Sequence, residues 1–107
     1  MTFSNIAGAF TASVPGTYLV TLNIVFPGTS TTGERRAYIF QSSTAAFPIA
    51  FTDIYPSQSS SNTGLSTQAI IVLAAGETVW AQVYQSSGIS LTLVTGLGLF
   101  SIARMRV

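Results

Sequence analysis

The chain contains no histidine, no cysteine and no lysine, and its only carboxylates are Glu34, Asp53 and Glu77. Charged residues make up 7% of its 107 positions, where about 25% is usual for a globular domain. Without cysteine there is neither a disulfide framework nor a thiolate metal site, although the compartment stays open because a secreted protein can lack disulfides. Without histidine or cysteine, acid–base or nucleophilic catalysis falls to a perturbed carboxylate or tyrosine. Without lysine there is no diffuse basic surface, and a net charge of +1 gives no field that would gather nucleic acid or an anionic membrane. The longest apolar run, Ala69 to Ala75, falls far short of the roughly 18 residues of a membrane span. No basic residue precedes an apolar run at the N-terminus, which speaks against a signal peptide.

Hydrophobic residues, by contrast, account for 48% of the chain. A domain of this length buries roughly two-thirds of its unfolded surface, and the exposed remainder is normally rich in charge. The missing charge implies that apolar surface is covered by other chains. Composition therefore points to an assembly protein and away from an enzyme.

Strand patterning dominates the order of residues. Tyr18, Val20, Leu22, Ile24 and Phe26 share one face of a period-two segment bounded by Pro15-Gly16 and Pro27-Gly28, with Thr17, Leu19, Thr21, Asn23 and Val25 on the other. Further strands are expected at Arg35 to Gln41, Pro48 to Ile54, Ser66 to Leu73, Thr78 to Gln85, Ile89 to Val94 and Leu97 to Val107. Ala74-Ala75-Gly76-Glu77 reads as a hairpin turn, and Ser57 to Gly64 as a polar loop. Turns recurring every 8–12 residues or so fit an all-β sandwich or barrel. Some strands are apolar on both faces: Ile70 and Val72 oppose Ile71 and Leu73, and Trp80 and Tyr84 oppose Val79, Ala81 and Val83. In an antiparallel sandwich only one face of each sheet meets the core, so Ile70, Val72, Trp80 and Tyr84 are expected at an interface between subunits. The alternative is a short buried crossing strand.

Phe10-Thr11-Ala12-Ser13-Val14-Pro15-Gly16-Thr17-Tyr18, Ile71-Val72-Leu73-Ala74-Ala75-Gly76-Glu77-Thr78-Val79 and Leu99-Phe100-Ser101-Ile102-Ala103-Arg104 together resemble three segments of the C1q/TNF-like domains. The resemblance implies an antiparallel jelly-roll β-sandwich that assembles as a homotrimer around an apolar axis. Domains of this kind also occur in tailed-phage fibre and virion-surface proteins, and Gly33-Glu34-Arg35-Arg36 resembles that variant. The expectation is a non-enzymatic virion-surface module, a capsid decoration or a fibre tip. Its partners would be other virion proteins or a host-surface glycan or protein; the alternative is a secreted, extracellular C1q-like binding module. The family usually has one or two strands ahead of the Phe-Thr motif, whereas nine residues precede Phe10. Residues 1–107 are therefore read as a single domain, either complete or the C-terminal part of a longer chain, with a first strand that is short or supplied by a neighbour.

The remaining candidates are weighed residue by residue. A glycosidase would need two carboxylates about 5–9 Å apart, but the three acids fall in separate expected turns or strand ends. No Gly-x-Ser-x-Gly elbow occurs among the serines, and Gly96-Leu97-Gly98 opens no helix that could cradle phosphate. No cofactor is expected. Asp53 is the candidate for calcium, since one carboxylate repeated around a three-fold axis supplies part of an oxygen shell; a solvated aspartate is the simpler account. Arg104 and Arg106 share a strand face and suit an acidic glycan or a partner's carboxylates, or else protect an exposed strand edge. Tyr38, Tyr55, Trp80 and Tyr84 are aromatics that could stack on a sugar. Tyr55 stands at the mouth of the polar loop, where Ser59, Ser60 and Ser61 offer hydroxyls for ligand binding; the competing account is a passive connector.

Overall fold

The computed structural model describes residues 2–5, 9–30, 32–44, 47–56, 61–89, 91, 93–94 and 99–105. Its strands are β1 (Thr2–Asn5), β2 (Phe10–Thr11), β3 (Gly16–Phe26), β4 (Arg35–Gln41), β5 (Ala50–Ile54), β6 (Thr63–Leu73), β7 (Thr78–Gln85) and β8 (Leu99–Arg104). They form a five-stranded antiparallel sheet in the order β1-β7-β4-β5, with β2 also on β7, and a three-stranded sheet in the order β6-β3-β8. This is a jelly-roll β-sandwich. β1 and β2 share one edge of β7, β1 against Gln82–Gln85 and β2 against Thr78–Val79. The nine residues ahead of Phe10 thus include a short strand.

The core forms where the two apolar faces meet. On β3, Tyr18, Val20, Leu22, Ile24 and Phe26 are all buried, as their alternation requires. Opposite them on the five-stranded sheet, Ala37, Ile39, Val79, Ala81 and Val83 are buried too. Along β6 burial alternates strictly from Gly64 to Val72, with Leu65 and Thr67 inward and Ser66, Gln68, Ile70 and Val72 outward. The sandwich is closed along β5 and β6, where Thr52 Oγ1 donates to the Ser66 carbonyl (2.6 Å).

Two expectations fail. Among the described residues of Ile89 to Val94 none belongs to a strand. Local polar groups win there: Gln85 Nε2 and Ser87 Oγ both donate to the Ile89 carbonyl (2.8 and 3.0 Å), after Gly88 with a positive φ of 85°. Such side-chain bonds offer the backbone an alternative to a ladder. The turn at Ala74-Ala75-Gly76-Glu77 is tight, with Glu77 N–H donating to the Ala74 carbonyl (3.1 Å), but it is no hairpin. It carries the chain from β6 in one sheet to β7 in the other. Strand ends also shift: β6 begins at Thr63, inside the expected polar loop, and β5 begins at Ala50.

Arg35 and Arg36 open β4 on opposite faces. Arg35 turns inward and is fully buried. Its Nη1 donates to the carbonyls of Thr32 (2.8 Å) and Glu34 (3.1 Å), and its Nη2 to that of Ser30 (3.0 Å). The guanidinium lies 5.9 Å from the Phe26 ring centroid, Nε has no hydrogen-bond partner, and burial lowers the pKa from its ordinary value. Arg35 pins the β3–β4 connection from inside. Gly33 secures it from outside, with φ of 75° and no room for a Cβ against the Ser86 carbonyl.

Candidate functional site

The outward face of the five-stranded sheet is aromatic. Alternation on β4 places Arg36, Tyr38 and Phe40 outward, and the register sets them beside Tyr84, Gln82 and Trp80 of β7. On the other side Tyr38 faces Phe51 and Arg36 faces Asp53 of β5. Phe40 stacks on Trp80 with ring centroids 5.7 Å apart and planes at 10°. Tyr38 packs at 5.7 Å from Phe40 and 6.0 Å from Phe51. Phe51 is 60% exposed, so the row ends in an open ring.

A charged cluster caps this row. Arg36 donates to Glu34 Oε2 from Nε (3.0 Å) and Nη2 (2.7 Å), and from Nη1 to the Tyr38 hydroxyl (3.0 Å). Its Nε also lies 3.4 Å from Asp53 Oδ2, and its Cζ sits 5.1 Å from the Tyr84 ring centroid. The bond from Arg36, then the one from Asp53, holds the Glu34 carboxyl below its usual range. Partial burial and the neighbouring Glu34 push the Asp53 carboxyl above its own, while Arg36 is held well above the ordinary arginine value. Glu34 and Asp53, expected in separate places, therefore share one guanidinium. The spacing of Glu34 and Arg36 on one strand was visible in the sequence; the arrival of Asp53 required the β4–β5 register.

Asp53 is the residue expected for calcium. Asp53 already has a cationic neighbour in Arg36, and a metal ion there would have to compete with a fixed positive charge. Among the described residues no group of three or more acidic, histidine or cysteine side chains is placed to hold a metal. Glu77 stands elsewhere, accepting from Gln41 Nε2 (2.7 Å) and from the Ala74 N–H (3.2 Å).

The outward face of the three-stranded sheet is different in kind. Ile70 is 65% and Val72 72% exposed. Leu19 of β3 lies opposite Ile70 and also opposite Ala103 of β8, which makes an aliphatic patch spanning the sheet. The four residues expected at a subunit interface are thus divided. Ile70 and Val72 face out from one sheet; Trp80, partly buried on Phe40, and Tyr84, buried beneath Arg36, face out from the other.

The remaining candidates lie at the two ends. Tyr55 is 66% exposed just after β5, and Ser61 packs against the Pro27-Gly28 turn at the same end. Ser59 and Ser60 lie outside the described residues. Arg104 is exposed at the far end, opposite Tyr18, and its Nη2 is 3.4 Å from the Pro15 carbonyl; Arg106 lies outside the described residues. The structure therefore does not bring Arg104 to Tyr55 and Ser61.

A protein-family model described as the C1q domain matches residues 1–101. The chain belongs to the C1q domain family. Comparison with curated proteins returns no match. C1q domains are generally non-enzymatic, typically assemble as trimers that bind partners, and are typically extracellular. No helix among the described residues is long and apolar enough to cross a membrane.

Proposed function

We propose that this C1q domain is a non-enzymatic trimeric recognition module whose two outward faces have different tasks. The observation that carries this reading is the separation of an exposed aliphatic patch, Ile70 and Val72, from an aromatic face capped by Glu34, Arg36 and Asp53. A closed ring of three needs complementary patches inclined to one another, whereas patches on opposite faces generate open stacks. One face therefore serves assembly, and the aliphatic one suits it because its burial strands no charge. Trp80 and Tyr84 then belong to the face left open to partners, together with the end that carries Tyr55 and Ser61.

The setting we propose is the surface of a tailed-phage particle, as capsid decoration or fibre tip, where the module meets other virion proteins or a host-surface glycan. The likeness of Gly33-Glu34-Arg35-Arg36 to the phage variant supports it. A secreted binding module is the second reading, favoured by the typical extracellular setting of the family. Co-sedimentation with phage particles and with host cells tests both. Tyr55→Ala and a combined Ser59, Ser60 and Ser61 to alanine variant should lose attachment while keeping the parent's mass in solution. Attachment equal to the parent's in both variants would exclude this end as the recognition site.

A further inference from the structure

Strand β5 displays two open rings with a carboxylate between them. Ile49 and Ala50 both pack against the core, and Ile49 N–H donates to the carbonyl of Ile39 (2.8 Å), the residue that Ala50 already faces. Two residues opposite one make a bulge, and without it Phe51 would share the inward face of Ile49. Beyond the bulge, Phe51 and Asp53 turn outward beside Tyr38 and Arg36. Pro56 favours extended backbone at the residue before it, so Tyr55 continues the alternation on the same side. Ring, carboxylate and ring thus follow at two-residue steps, about 13 Å from Phe51 to Tyr55 at the rise of a strand. Both rings are largely exposed. The first ring and the carboxylate are held in place: Phe51 rests on Tyr38 with centroids 6.0 Å apart, the Tyr38 hydroxyl accepts from Arg36, and Arg36 Nε stands 3.4 Å from Asp53 Oδ2.

We propose that Phe51, Asp53 and Tyr55 form a binding site for an uncharged glycan chain, with pyranose faces stacked on the two rings and hydroxyls donated to the carboxylate between them. The proposal rests on the reading of this side, with the Tyr55 end, as the one open to partners. Charge selects the ligand. Glu34 and Asp53 share the one guanidinium of Arg36, so the ionised cluster carries one excess negative charge and opposes an acidic glycan. The guanidinium beside Asp53 in turn weakens its pull on a cationic ligand. Hydrogen-bond acceptance remains, because an ionised carboxylate offers about four lone-pair sites, more than Arg36 and Glu34 occupy. Open rings flanking such an acceptor suit a ligand whose apolar faces alternate with hydroxyl-bearing edges. The span from Phe51 to Tyr55 exceeds one pyranose, so the site selects a chain over a monosaccharide.

Backbone amide shifts of the 107-residue chain, titrated with uncharged hexasaccharides of glucose, galactose, mannose and N-acetylglucosamine, test the proposal. At least one of them should move the Phe51, Asp53 and Tyr55 amides and leave those of Ile70 and Val72 in place. Its dissociation constant should rise about three- to tenfold in Phe51→Leu, which keeps an apolar side chain but removes the ring, and about tenfold in Asp53→Ala. The matching monosaccharide and a hexagalacturonate should both bind more weakly than that hexasaccharide. Absence of shifts with all four hexasaccharides overturns the proposal, as does unchanged affinity in both variants or tighter binding of the hexagalacturonate. If no hexasaccharide binds while Tyr55→Ala still loses attachment to particles or cells, the Tyr55 end stands as the recognition site and the uncharged glycan falls.

Discussion

Ile70 of β6 and Trp80 of β7 point away from the core on opposite sides of the sandwich, one 65% exposed and the other stacked on Phe40. The turn from Ala74 to Glu77 passes the chain between sheets, so two strands adjacent in sequence display their outward side chains to different surroundings. If assembly uses the aliphatic side, Ile70→Glu should raise the monomer fraction in size-exclusion chromatography by burying an unpaired charge at the contact. Phe51→Glu, on the aromatic side, should elute like the parent. The reverse pattern would move the contact to the aromatic face.

The alternation along β3 has an energetic signature. Leu22 is fully buried between the sheets, whereas Thr21 faces outward. Leu22→Ala should cost about 2–5 kcal/mol through the cavity it leaves, and Thr21→Ala less than about 1 kcal/mol. Urea unfolding of both variants measures the difference; equal losses would contradict the assigned faces.

How much of this was legible in the sequence depends on what fixed each feature. The bounds of β4 and β7 were readable because their alternating apolar residues end at local turn signals. The Ile89 to Val94 segment carried the same apolar content, but side chains of Gln85 and Ser87 capture the Ile89 carbonyl, a competition that pattern does not reveal. The Ala74 to Glu77 turn has the residues of a hairpin, and only the sheet each flanking strand joins makes it a corner. Meeting of Glu34 and Asp53 on Arg36 depends on the register in which β5 pairs with β4. The apolar second faces of β6 and β7 were legible as such; their lying on opposite sides was not.

The β3–β4 connection should be sensitive from both sides. Arg35→Lys places one ammonium where a guanidinium serves the carbonyls of Ser30, Thr32 and Glu34, leaving buried acceptors unmet at a cost of about 1–3 kcal/mol. Gly33→Ala introduces a Cβ against the Ser86 carbonyl at a positive φ and should destabilise by more than a surface substitution's usual 0.5 kcal/mol or so. Thermal unfolding of each variant against the parent checks both; unchanged midpoints would show that the connection is not held in this way.

Acid stability should separate the carboxylates by sign. The Gln41 and Ala74 bonds lower the Glu77 pKa from 4.5, so its contribution is present above that value and lost as the pH falls through the depressed one. Asp53 is raised from 3.8, so the folded state keeps its proton longer and gains stability as the pH falls. Between about pH 5 and pH 3 the parent's unfolding midpoint should drop, less in Glu77→Gln and more in Asp53→Asn. Identical slopes in all three would contradict the assigned shifts.

The proposed assembly buries the aliphatic face of the three-stranded sheet, which accounts for the missing surface charge. Multi-angle light scattering at micromolar concentration measures it directly, because the mass requires no assumption about shape. The parent should give three times the 11.2 kDa chain mass, and Val72→Glu a lower mass under the same conditions. A parent that remains at 11.2 kDa would contradict it.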